Sequence, residues 1–159
     1  MGRLSTRWYG ADPAWTLPFQ RDARRHYGSA VTVALRSNYL LYRHEGLDVP
    51  GRDEPVPVEV RFEARPLYDT YGLSPQDYPR VFADHGLASP HRMPDDSLCL
   101  FYPGDPPERR WTADDGLLAL LNLAGDHLFF ETYWRHTGGH RGGKWLAPEA
   151  PHGYQGGRQ

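Results

Sequence analysis

The stretch from Trp111 to His136 constrains this chain more than any other, because its apolar residues recur at helical spacing on more than one side. Thr112 is a good N-terminal cap, and Asp115, three residues on, can reach back to it in a variant of the capping box. Asp114 and Asp115 also suit the positive end of a helix dipole. Leu117, Leu120, Leu121, Ala124 and Leu128 share one broad side, with Leu118, Phe129 and Tyr133 on another. Thr137-Gly138-Gly139 stops the run. A helix from Gly116 to about His136 is predicted, roughly 30 Å long at about 1.5 Å per residue. A rod apolar on two sides needs other elements to cover it, and those must come from the residues before it.

Those residues read mainly as strands. Val58 to Ala64 alternates apolar and polar positions, with Val58, Val60, Phe62 and Ala64 inward. Ala30 to Tyr42 is dense in β-branched and aromatic residues and reads as one long strand, or two with a bend near Ser37-Asn38. Arg80 to Ala83 is a further short strand. Gly46 to Pro57, with its prolines and glycines, reads as a loop, and Asp84 to Ser97 as an irregular crossing. Gln20 to Tyr27 reads as a short helix. Strands followed by a long helix imply an α+β fold with an antiparallel meander sheet. One domain is expected over residues 1–153, with a flexible tail at 154–159.

Bulk properties narrow the function. With 159 residues the chain suits one buried core, and its six Phe, ten Tyr and five Trp speak for a folded globule. A formal net charge of -2 announces no basic face, so nucleic acid is not an expected partner. No apolar run suits a signal peptide or a membrane span, so no membrane partner and a cytoplasmic location are expected. One cysteine, Cys99, rules out a disulfide framework and a multi-cysteine zinc site. His127 and Glu131, four apart, allow an ion pair or half a metal site, but no HExxH pattern accompanies them; no metal and no cofactor are expected. No glycine-rich loop joins a strand to a helix, so this chain should not bind ATP itself.

Cys99 alone reads as a small buried apolar residue. Its surroundings change that. His91-Arg92-Met93-Pro94-Asp95-Asp96-Ser97-Leu98-Cys99-Leu100 places a histidine eight residues before the cysteine, a leucine directly after it, and Trp111 at the start of the helix. This arrangement resembles the ubiquitin-conjugating (UBC-like) family over about residues 30–136. In that family an antiparallel sheet leads to a His-Pro-Asn motif, the active cysteine and a helix. Glu131-Thr132-Tyr133-Trp134, Thr137-Gly138 and the segment from Trp145 through Pro151-His152-Gly153 resemble its bacterial branch, found in antiphage defence operons such as CBASS.

The resemblance implies that Cys99 accepts a ubiquitin-like carrier protein as a thioester from an activating enzyme. It then passes the carrier to an amine on a target protein, with a nucleotide cyclase among the candidate targets. The family's Asn, which steadies the oxyanion, is Met93 here, and a thioether supplies no hydrogen bond. His91, Arg92 and His152 are the candidate substitutes. Asp95 and Asp96, if close to the sulfur, would raise its pKa, so a protease-like activated thiol is not expected. Two other functions fit the same residues. One is a UBC-like binding or scaffold module without catalysis. The other is a cysteine hydrolase pairing Cys99 with His85, His127, His136 or His152.

Overall fold

The computed structural model describes residues 7–147. It is α+β: a four-stranded antiparallel sheet with two α-helices. Helix α1 spans Pro13–Tyr27, strands β1 to β4 span Val31–Leu35, Tyr39–Leu47, Val56–Glu63 and Arg80–Phe82, and helix α2 spans Gly116–His136. The sheet is a plain meander in the order β1-β2-β3-β4.

Helix α2 has the bounds expected of it. Thr112 N–H donates to Asp115 Oδ2 at 2.8 Å, so the capping box forms around a short 3-10 turn, Ala113–Asp115, that leads into the helix. Gly116 makes the joint between the two. Its φ of +86° is left-handed, and an added Cβ would lie 3.4 Å from the Phe19 carbonyl oxygen. Leu117, Leu120, Leu121, Ala124 and Leu128 are all buried.

Two sequence expectations need correction, on the first helix and on the stretch 46–57. The first helix is fifteen residues long and starts at Pro13, not Gln20. Asp12 caps it by accepting from Ala14 N–H at 3.0 Å, and Pro13 occupies the first turn, where a missing N–H costs nothing. Of the two readings of the dense run from Ala30, the two-strand one holds, with Arg36 to Asn38 turning between the strands; Arg36 N–H donates to the Tyr39 carbonyl at 2.8 Å. The stretch 46–57 is only partly loop, because β2 continues to Leu47 through a bulge after His44 and β3 begins at Val56.

One sheet face and both helices enclose the core. Leu40 stands opposite Phe62 and Tyr42 opposite Val60, all four buried. Phe19 of α1 sits at the centre, with ring centroids 5.1 Å from Phe62, 5.8 Å from Tyr42 and 6.1 Å from Trp111. Trp111 Nε1 donates to the Gly116 carbonyl at 3.0 Å, which locks the start of α2 to the aromatic centre. Among the described residues, no helix is long and apolar enough to cross a membrane.

Candidate active site

Between β4 and α2 the chain forms a small folded-back loop. Arg92 and Leu98 make an isolated antiparallel bridge, and Met93 N–H donates to the Ser97 carbonyl at 2.8 Å. Asp95 Oδ1 closes the turn by accepting from Ser97 N–H at 3.0 Å and from Ser97 Oγ at 2.6 Å. Leu98 N–H donates to the Val81 carbonyl at 2.8 Å, which ties the loop to β4. Cys99 N–H then donates to the His91 carbonyl at 3.3 Å. The spacing of eight between His91 and Cys99 is therefore a backbone pairing, made across the base of the loop.

Cys99 itself is buried, with 7% of its surface exposed. A notch of about 10 Å³ adjoins it, walled by Tyr78, Arg80, Met93, Leu100, Phe101 and Leu120 among others. That space holds one water at most. Burial pushes the thiol up to about 12; Arg80 pulls it down, Glu131 raises it, Arg92 lowers it and Asp95 raises it. The carboxylates act in the expected direction, but desolvation dominates.

Met93 is buried and lines the notch without offering a donor. The His91 ring lies 4.4 Å from the Trp145 ring, and it is the His91 carbonyl that meets Cys99. Trp145 also packs 5.3 Å from His127 and 5.6 Å from Phe130. Among the described residues no histidine lines the notch, which leaves a hydrolase without a base there. His152 lies outside the described residues.

Arg92 is not available as an oxyanion donor. Its Nε and Nη2 grip Glu131 at 2.6 and 2.7 Å, and Nη1 reaches the Asp96 carbonyl and carboxylate at 3.2 Å each. Glu131 is fully buried on α2 and also meets His127 Nε2 at 3.1 Å. Burial alone would raise this carboxyl; the hydrogen bonds from Arg92 and His127, with their charges, overcome it and hold the group at about 2. Nearby, Arg52 forks onto Asp84, and Arg135 lies 3.8 Å from Asp84 and 3.9 Å from Glu131. Sequence reasoning found only the His127–Glu131 spacing. The rest joins residues as far apart in the chain as Asp84 and Arg135.

Next to the notch, and sharing Leu100 and Phe101 with it, runs an open groove of about 620 Å³ between residues 100–111 and the outer side of α2. Leu100, Phe101, Trp111 and Leu123 give it an apolar floor; Asp105, Glu108 and Asp126 face Arg109 and Arg110 around it. The site thus combines one shielded thiol, a rigid loop anchored through a buried ion cluster, and a groove that begins one residue beyond the sulfur. Compared with known proteins, the chain matches no family model, no curated protein and no solved structure.

Proposed function

We propose that this chain is a UBC-like conjugating domain that takes a ubiquitin-like carrier onto Cys99. The observation that carries this reading is the placement of Cys99: hydrogen-bonded to the His91 carbonyl, tied to β4 through Leu98, and set one residue before an open groove that runs along α2. The order of antiparallel sheet, cysteine segment and long helix supports it, being the order that the resemblance to that family implies. In the reaction, Cys99 Sγ attacks the carbonyl carbon of the carrier's thioester on an activating enzyme. A new C–S bond forms, the old one breaks, and the activating enzyme's thiolate leaves. An amine on the target protein then displaces Sγ. The groove suits an extended chain end on its way to the sulfur. A protonated, shielded thiol is compatible with this chemistry, because thioester exchange depends on positioning as well as on thiolate fraction. Loading requires the notch to open.

A second reading is favoured by one observation. Cys99 has almost no exposed surface and Met93 fills the oxyanion position, which suits a non-catalytic binding module of the same family. Incubation with an activating enzyme and carrier under non-reducing conditions separates the two. Conjugation gives an adduct that thiols cleave and that Cys99→Ala abolishes. Absence of any adduct refutes it and leaves the binding module. The defence setting and a nucleotide cyclase target rest on the sequence resemblance to the bacterial branch.

A further inference from the structure

Arg80 is a charged residue in an unusual place. It opens β4 opposite Arg61, yet its side chain is only 9% exposed. The guanidinium carbon lies 3.8 Å from the centre of the Tyr68 ring and 5.2 Å from that of Tyr78. Its Nε has no aligned hydrogen-bond acceptor; the carboxylate beside it is Asp95, with Oδ2 at 3.2 Å. The pair is lopsided, because the Asp95 side chain is 42% exposed and half in water. Arg80 also lines the notch at Cys99, and the hydrogen bond from Leu98 N–H to the Val81 carbonyl holds the two segments together one residue away from each.

We propose that Arg80 and Asp95 regulate Cys99: Arg80 is the cation that steadies its thiolate, and Asp95 is the carboxylate that competes with the sulfur for that cation. This rests on the reading of Cys99 as the reactive centre and adds how its reactivity is set. Among the described residues, the charged and titratable groups acting on the sulfur are Arg80 from β4, Tyr78 just before it, Asp95 and Arg92 from the loop, and Glu131 from α2. Arg92 and Glu131 hold each other in a two-pronged pair, so their effects on the sulfur oppose each other. Arg80 and Asp95 form the other pair, and of the two carboxylates only Asp95 stands partly in water, where a partner can reach it. Among the charges acting on the thiol, that of Arg80 is the largest, and it is attractive. When Asp95 engages Arg80, less of the positive charge reaches the sulfur; when a partner draws Asp95 outward into water, the guanidinium is left for the sulfur and the thiol gives its proton to solvent more readily. Arg80 is a positioning residue in this scheme, and it supplies charge on the side of the notch where Met93 offers none.

The test measures alkylation of Cys99 in the full chain by iodoacetamide, in which Sγ displaces iodide, followed by mass spectrometry from pH 7 to 11. Asp95→Asn keeps the oxygen that caps the Ser97 turn and should speed alkylation at pH 8 by about tenfold, moving the profile about one pH unit down. Arg80→Met should slow it by about tenfold, and Arg80→Lys should stay close to the wild type. Rates that rise in both Asp95→Asn and Arg80→Met would show a loosened notch and overturn the proposal, as would an unchanged rate in Asp95→Asn. Where a thermal melt shows Arg80→Met unfolded, Asp95→Asn alone decides. No carrier enters this assay, so a wild-type protein that forms no thioester refutes the conjugation reading, while the alkylation profiles still judge Arg80 and Asp95.

Discussion

Replacing Glu131 by Gln removes one buried negative charge and leaves the side-chain volume nearly unchanged. The carboxylate is fully buried on α2, gripped by two Arg92 nitrogens at 2.6 and 2.7 Å and by His127 at 3.1 Å. A carboxyl held at about 2 instead of its ordinary 4.5 contributes on the order of 3 kcal/mol to stability at neutral pH. Breaking a buried pair from one side costs about 3–5 kcal/mol, so two independent routes give the same size of effect. The sign follows from the direction of the shift. Because the folded-state value is depressed, the contribution is complete above about pH 4.5 and disappears as pH falls toward 2. Urea denaturation followed by tryptophan fluorescence, at pH 7 and at steps down to pH 2.5, checks both points. Glu131→Gln should be about 3 kcal/mol less stable than wild type at pH 7, and the gap should narrow steadily below pH 4.5. A gap under about 1 kcal/mol at pH 7, or one that ignores pH, would mean that the cluster does not hold the Cys99 loop onto α2.

Two further stability outcomes follow from the start of α2. Trp111→Ala empties the space against Phe19 and Phe101 and removes the hydrogen bond to Gly116; it should cost about 3–5 kcal/mol in equilibrium unfolding. Thr112→Ala removes only the capping hydroxyl, so a loss of about 1 kcal/mol is expected in the same measurement, with Asp115 still bonded to the backbone N–H of residue 112.

What could be read in the sequence was what neighbours along the chain determine. Helix α2 was legible because one stretch carries its own cap, its own leucine side and its own glycine stop. Strand β3 was legible because Val58, Val60 and Phe62 alternate with polar residues. Helix α1 was misjudged because Pro13 and Pro18 look like breakers, although Pro13 sits where helices tolerate proline. Its real signal was Trp15, Phe19 and Ala23, four residues apart. Pro57 misled in the same way: β4 pairs only with residues 59–61 of β3, so proline at 57 removes no bond to it. Most of the ion cluster was not legible, since Arg52, Asp84 and Arg92 join Glu131 and Arg135 only after the loop has folded onto α2.

The motif at Cys99 shows where such reading stops. Eight residues from His91 to Cys99 are what a short antiparallel loop needs: a rung between the two ends, a bridge from Arg92 to Leu98, another bond from Met93 to Ser97, and a turn at residues 94–96. The spacing therefore encodes where the cysteine stands on the backbone. It says nothing of the charge that the sulfur meets, because that charge comes from Arg80 on another strand and from an aspartate in the turn that the spacing leaves unspecified. A loop of this length can present a working thiol or a buried spectator. Which of the two it presents is decided by whether Arg80 is free to turn its charge from Asp95 to the sulfur, and a one-atom change in Asp95 is enough to find out.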